Sequence, residues 1–75
     1  MLVRVGEYIL INLDRVTKVC REGDSLVFYC TKGVELYAEE EVWFEDESML
    51  DKAFNRIISA CFYGHLICDI TEYTK

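Results

Sequence analysis

The chain has 75 residues and a mass of 8.8 kDa; 52% of the residues are apolar, and 8 Lys plus Arg stand against 14 Asp plus Glu, for a net charge of −6. With no proline, four glycines and 13% aromatic residues, the composition excludes a disordered or linker-rich chain. No apolar run reaches the ~18 residues of a membrane-spanning helix, and the acidic balance argues against direct binding of nucleic-acid phosphates and for a basic partner.

In chain order, Leu2 to Val5 and Tyr8 to Leu13 are rich in β-branched and aromatic residues around the turn Gly6-Glu7, which predicts a hairpin. Asn12 and Asp14 interrupt it, and Val16 to Glu22 resumes in extended form. The turn Gly23-Asp24 leads into Ser25 to Cys30, and a loop at Lys32-Gly33 leads into Val34 to Ala38. The expected register sets Cys20 opposite Val27, Val19 opposite Phe28, Tyr29 opposite Leu36 and Phe28 opposite Tyr37. One face then carries Cys20, Val27, Tyr29, Leu36 and Ala38; the other carries Val19, Leu26, Phe28, Cys30 and Tyr37. Both are apolar, whereas a sheet that meets water on one side alternates apolar with polar residues.

Ser48, with Asp51 three residues on, has the pattern of a helix N-cap, and Glu45 to Glu47 place negative charge at the positive end of the helix dipole. Leu50, Phe54, Ile57 and Cys61 form the expected apolar stripe, broadened by Ala53, Ile58 and Ala60. Gly64 ends the helix, and Leu66 to Tyr73 reads as a last strand with Leu66, Cys68 and Ile70 on one face. The fold class is therefore α+β: one domain over residues 1–75, an antiparallel β-meander of four to five strands, one amphipathic helix on one face and a short C-terminal strand. A domain this small buries only about 60% of its unfolded surface, so the second sheet face is expected to meet another copy in a homodimer. The competing arrangement is a small barrel that curls this face inward.

Between Lys32 and Lys52 there is no basic residue but eight acidic ones, interrupted by Val42-Trp43-Phe44. Read functionally, Trp43 and Phe44 anchor a basic protein partner while Glu39, Glu40, Glu41, Glu45 and Asp46 steer it. Such a surface also mimics the charge of a nucleic acid. Read structurally, the segment is a solvated loop that pins the helix start to the core. A second candidate site, for a small anionic ligand of nucleotide type, uses Arg15, Lys18, Arg21 and Tyr29.

The N-terminus has no signal-peptide pattern, so a reducing, cytoplasmic setting is expected. There Cys20, Cys30, Cys61 and Cys68 act as small hydrophobes. The alternatives are a disulfide between Cys20 and Cys30, or a metal held by Cys61, His65 and Cys68 with one strand cysteine, although that spacing matches no zinc-finger signature. One histidine, no nucleophile motif and no glycine-rich phosphate loop point away from catalysis, and no cofactor is expected.

The run Gly6-Glu7-Tyr8-Ile9-Leu10-Ile11-Asn12-Leu13-Asp14-Arg15-Val16, followed by a Gly-Asp hairpin, resembles the opening of short uncharacterised bacterial and phage proteins. Their plan is a strand, an I-N-x-D-x-V corner and a meander closed by a helix. Some phage proteins of this kind act against host defence, as a sponge for a nucleotide signal or by occluding a nucleic-acid-binding protein. The resemblance implies no particular site residues here, and the acidic segment and cysteine-bearing tail depart from the plan.

Overall fold

The computed structural model describes residues 1–75 and is α+β, with one helix and two small three-stranded sheets. The first sheet has the order β2-β1-β6, from β1 (Leu2–Gly6), β2 (Ile9–Asn12) and β6 (Ile67–Asp69). The second is the meander β3-β4-β5, from β3 (Lys18–Glu22), β4 (Ser25–Lys32) and β5 (Glu35–Trp43). The expected single meander is thus split. The Asn12 side chain accepts from the Asp14 backbone N–H at 3.1 Å and starts a 3-10 turn, Leu13–Arg15, which lifts the chain out of the first sheet. The expected C-terminal strand is present as β6, which runs parallel to β1 and sets Val3 beside Cys68, because the helix carries the chain back across the molecule. It stops at Asp69, whose carboxylate accepts from the Thr71 backbone N–H and hydroxyl at 2.9 and 2.6 Å and starts a second 3-10 turn. These bonds, with Arg4 at 3.3 Å, hold the Asp69 carboxyl below the usual range.

Both hairpin turns of the second sheet have glycine at positive φ as the first central residue, Gly23 at 60° and Gly33 at 64°, the arrangement of a type II′ turn. The second loop is therefore Gly33-Val34 rather than Lys32-Gly33. Tyr29 faces Ala38 and Cys30 faces Tyr37, a slip of two residues that leaves every side chain on its expected face. β5 then continues five residues past the expected end at Ala38. Glu39 to Glu41, read as loop because of their charge, are strand, since the eight-residue β4 supplies partners as far as Leu26↔Val42 and Ser25↔Trp43. The continuation includes a β-bulge between Phe28 and Tyr29, opposite Glu39. It shifts the alternation so that Val42 joins Leu26 and Phe28 on the inner face.

The helix α1 spans Glu47–Phe62. Its N-cap is Asp46 rather than Ser48; the Asp46 carboxylate accepts from the Met49 backbone N–H at 2.9 Å. At the other end Gly64 adopts φ 68°, with His65 N–H on the Ala60 carbonyl and Gly64 N–H on that of Cys61, a Schellman motif. The buried stripe is Leu50, Ala53, Ile57 and Ala60. Phe54 is only half-buried, and Cys61 and Ile58 are exposed, so the packed face is rotated from the expected one toward the alanines. Val3, Val5, Ile11 and Cys68 from the first sheet, Leu26, Phe28 and Val42 from the second, and Phe44 and Ile70 complete one core.

Candidate functional site

The second sheet turns its inner face to this core and leaves its outer face open. The outer face carries Cys20, Val27, Tyr29, Leu36 and Ala38 as expected, but it is less greasy than that set suggests, because Lys18, Glu22, Thr31 and Glu41 share it. Val27 is buried without any helix above it. Tyr29 faces Lys18, yet its hydroxyl donates to the Glu22 carboxylate two rows away, so its side chain spans the row in which Cys20 faces Val27. Lys18 Nζ lies 5.0 Å from the centre of the same ring. Ser25, fully buried, donates to the Glu22 carbonyl at 2.8 Å and lies 3.0 Å from the Glu41 carboxylate.

The hydrogen bond to Glu22 is the main cause that pushes the Tyr29 hydroxyl up to about 12 from an ordinary value near 10. The bond favours the protonated phenol, so its contribution to stability is complete below pH ~10 and is lost as pH rises toward the folded-state value. A titration of phenolate absorbance should show one tyrosine ionising last, and Glu22→Gln should return it toward the others; an unchanged late step would mean that another group holds the proton.

The residues expected to hold an anionic ligand are not brought together. Arg21 points inward from β3, where it pairs with Asp51 and lies 3.8 Å from Glu47, with its guanidinium 5.8 Å from the Phe54 ring centre. Lys18 and Tyr29 belong to the outer face. Arg15 lies apart from both, in a groove of about 350 Å³ between the two sheets, and it shares that groove with Glu39, Glu40 and Tyr37. No ion pair within 4 Å joins Arg15 to either glutamate. Desolvation and the neighbouring Glu39 raise the Tyr37 hydroxyl, while Arg15 opposes them.

The acidic and aromatic segment is divided by the strand it belongs to. Phe44, expected as a docking anchor, is a core residue, because the shifted alternation of β5 sends it inward with Val42. Trp43 points the other way and is exposed, as are Glu39, Glu41, Glu45 and Asp46, with Glu40 half-buried. The four cysteines are free. Cys20 and Cys30 belong to opposite faces of the sheet, which overturns the Cys20–Cys30 disulfide. Cys68 is in the core, 3.8 Å from the Arg56 carbonyl, and burial pushes its thiol up; Cys61 and His65 are exposed on the surface. No three His, Cys, Asp or Glu side chains cluster as metal ligands would.

One surface escaped the sequence pattern. Around the C-terminal end of α1, Phe62, Tyr63, Leu66 and Ile67 are 81%, 69%, 84% and 61% exposed, and Ile58 and Leu2 extend the patch. Ile58 and Phe62 are one helical turn apart, the Phe62 and Tyr63 rings meet edge to face at 5.0 Å, and Ile67 is the register partner of Leu2. No basic residue interrupts the last helical turn. No helix is long and apolar enough to cross a membrane. Comparison with protein-family models, curated proteins and solved structures gave no match.

Proposed function

We propose that the protein is a non-catalytic interaction module that self-associates through the apolar cap at the end of α1 and presents the acidic β5 segment with Trp43 to a basic protein partner. The cap is the observation that carries this reading. Scaled by what aromatic and aliphatic side chains present when free, its six residues expose roughly 600 Å² of apolar surface, at the top of the range for a monomer's largest patch. A standard interface takes about 800 Å² from each partner, so a second copy covers the cap with little added from its rim. A twofold arrangement uses the same patch twice. The partner half rests on β5, which carries Glu35, Glu39, Glu40 and Glu41 with no Lys or Arg, beside an exposed tryptophan of the type that anchors interfaces.

A sponge for a nucleotide-like anion draws less support, since Arg15, Lys18 and Arg21 face three different surroundings and Arg15 shares its groove with two carboxylates. Light scattering on the full chain across the micromolar range tests the self-association: a mass of twice 8.8 kDa is expected, and a strict monomer overturns it.

A further inference from the structure

β5 pairs with β4 along one edge, while its other edge meets only the chain end, through a Phe44↔Thr74 bridge and the Lys75 N–H on the Trp43 carbonyl. From Glu35 to Val42 that outer edge has no backbone partner. Lys32 and Glu35 flank a two-residue turn and form a hydrogen-bonded pair, so alternation turns the backbone groups of Leu36 and Ala38 outward. β2 likewise pairs only with β1. The groove lies between the β2 edge and the β4–β5 hairpin, with Cys30 and Thr31 of β4 in its wall beside Tyr37, Glu39 and Glu40 of β5. Four consecutive β2 residues, Ile9 to Asn12, border it; since successive side chains point to opposite faces, the groove follows the edge of β2 rather than one face. On the other side the bulge sets consecutive Glu39 and Glu40 toward the same groove, where regular alternation would separate them.

We propose that this groove receives an extended, basic segment of a partner protein, added as a strand to the β2 edge, with a Lys or Arg side chain set against Glu39 and Glu40. The inference rests on the basic-partner reading above and gives it a binding mode. An unpaired edge supplies main-chain hydrogen bonds to an added strand, and side-chain pockets beside it supply the selectivity. Charge chooses the occupant. Two glutamates against one arginine leave the groove net negative within a chain of net charge −6, so an acidic segment or a small anion is repelled. A second copy adding through its own β5 would set glutamates against glutamates. Ile9, Leu10 and Val16 offer apolar surface for the aliphatic stem of a lysine or arginine. Arg15 disfavours a segment that is basic at every position and admits an acidic or carbonyl group at its own end.

The test uses the full chain and three synthetic peptides: one alternating Lys with Val, the same peptide with the backbone amides of one edge N-methylated, and one with Glu in place of Lys. The Lys–Val peptide is expected to bind and to shift the NMR amide signals of Leu10, Ile11, Glu39 and Glu40. N-methylation is expected to weaken binding by about tenfold or more, as is Glu39→Gln combined with Glu40→Gln in a variant whose melting temperature is unchanged. The Glu peptide should not bind. Equal binding of the methylated peptide overturns strand addition while leaving an acidic docking surface intact. Signals confined to residues outside β2 and β5 overturn the site. If no basic peptide binds at all, the basic-partner reading falls with it.

Discussion

Phe44→Ala should leave the protein largely unfolded at room temperature, while Trp43→Ala, one residue away, should leave its fold intact. Phe44 is 2% exposed and packs in the cluster that joins both sheets to α1. Truncating a buried phenylalanine costs about 3–5 kcal/mol, a transfer loss plus a cavity. A core of this size rarely supplies more than ~3–5 kcal/mol of net stability, so the substitution removes most or all of it. The Trp43 side chain is 54% exposed, and its backbone carbonyl, which accepts from Lys75, survives the substitution. A cost below about 1 kcal/mol, a few degrees in melting temperature, is expected there. Circular-dichroism melts decide it. A folded Phe44→Ala would mean that Phe44 is not the link between β5 and the helix, and an unfolded Trp43→Ala would make the pair equivalent. Trp43 is the only tryptophan, so in the parent chain its fluorescence also reports whether a basic probe covers it.

That pair shows where the sequence was legible and where it was not. The hydrophobic alternation of β3 and β4 is regular, and it placed Val19 opposite Phe28 and Cys20 opposite Val27 as found. Past Ala38 the charges of Glu39 to Glu41 suggest solvent and therefore loop, yet a strand edge is itself solvated, and glutamates are tolerated there as long as a neighbouring strand supplies hydrogen bonds. The bulge opposite Phe28 has no glycine to signal it, and without it the inward direction of Phe44 cannot be deduced from parity. The cap of α1 shifted for a related reason: Asp46 and Ser48 are both good N-caps, and the chain's exit from β5 decides between them. The parallel pairing of β6 with β1 depends on where the helix returns the chain, a tertiary property that no local pattern in residues 66 to 73 encodes.

The exposed cap was hidden for the opposite reason. Phe62, Tyr63, Leu66 and Ile67 are the kind of residues a core consumes, and their spacing gives no reason to leave them outside. The Schellman turn at Gly64 does so by directing the chain away from the helix before β6 begins. The Gly6 to Val16 run, which resembles short phage and bacterial proteins, forms the β1–β2 turn, β2 and the turn between the sheets, and so shapes one wall of the groove without contributing to the cap.

Phe62→Asp combined with Leu66→Asp should convert a dimer of the protein to a monomer without unfolding it. Both side chains are more than 80% exposed in the single chain, so their loss removes almost nothing from the core. At the centre of an interface, by contrast, truncating an aromatic anchor costs about 2 kcal/mol or more, which is roughly 30-fold in dissociation constant. A carboxylate placed there adds the cost of burying an unpaired charge. Because association stabilises the folded chain by mass action, the parent should also melt at a temperature that rises with concentration, and the variant should not. Leu36→Asp supplies the decisive comparison, since it puts a carboxylate on the open face of the second sheet, the face that carries Cys20, Val27 and Ala38. If the sheet face were the contact, Leu36→Asp would halve the mass measured by light scattering and the cap variant would not. The cap exposes more large apolar side chains than that face, where Lys18, Glu22 and Glu41 already favour water. Loss of the dimer in the cap variant, with the Leu36→Asp chain still dimeric, is therefore the expected pattern, and the reverse pattern moves the interface to the sheet.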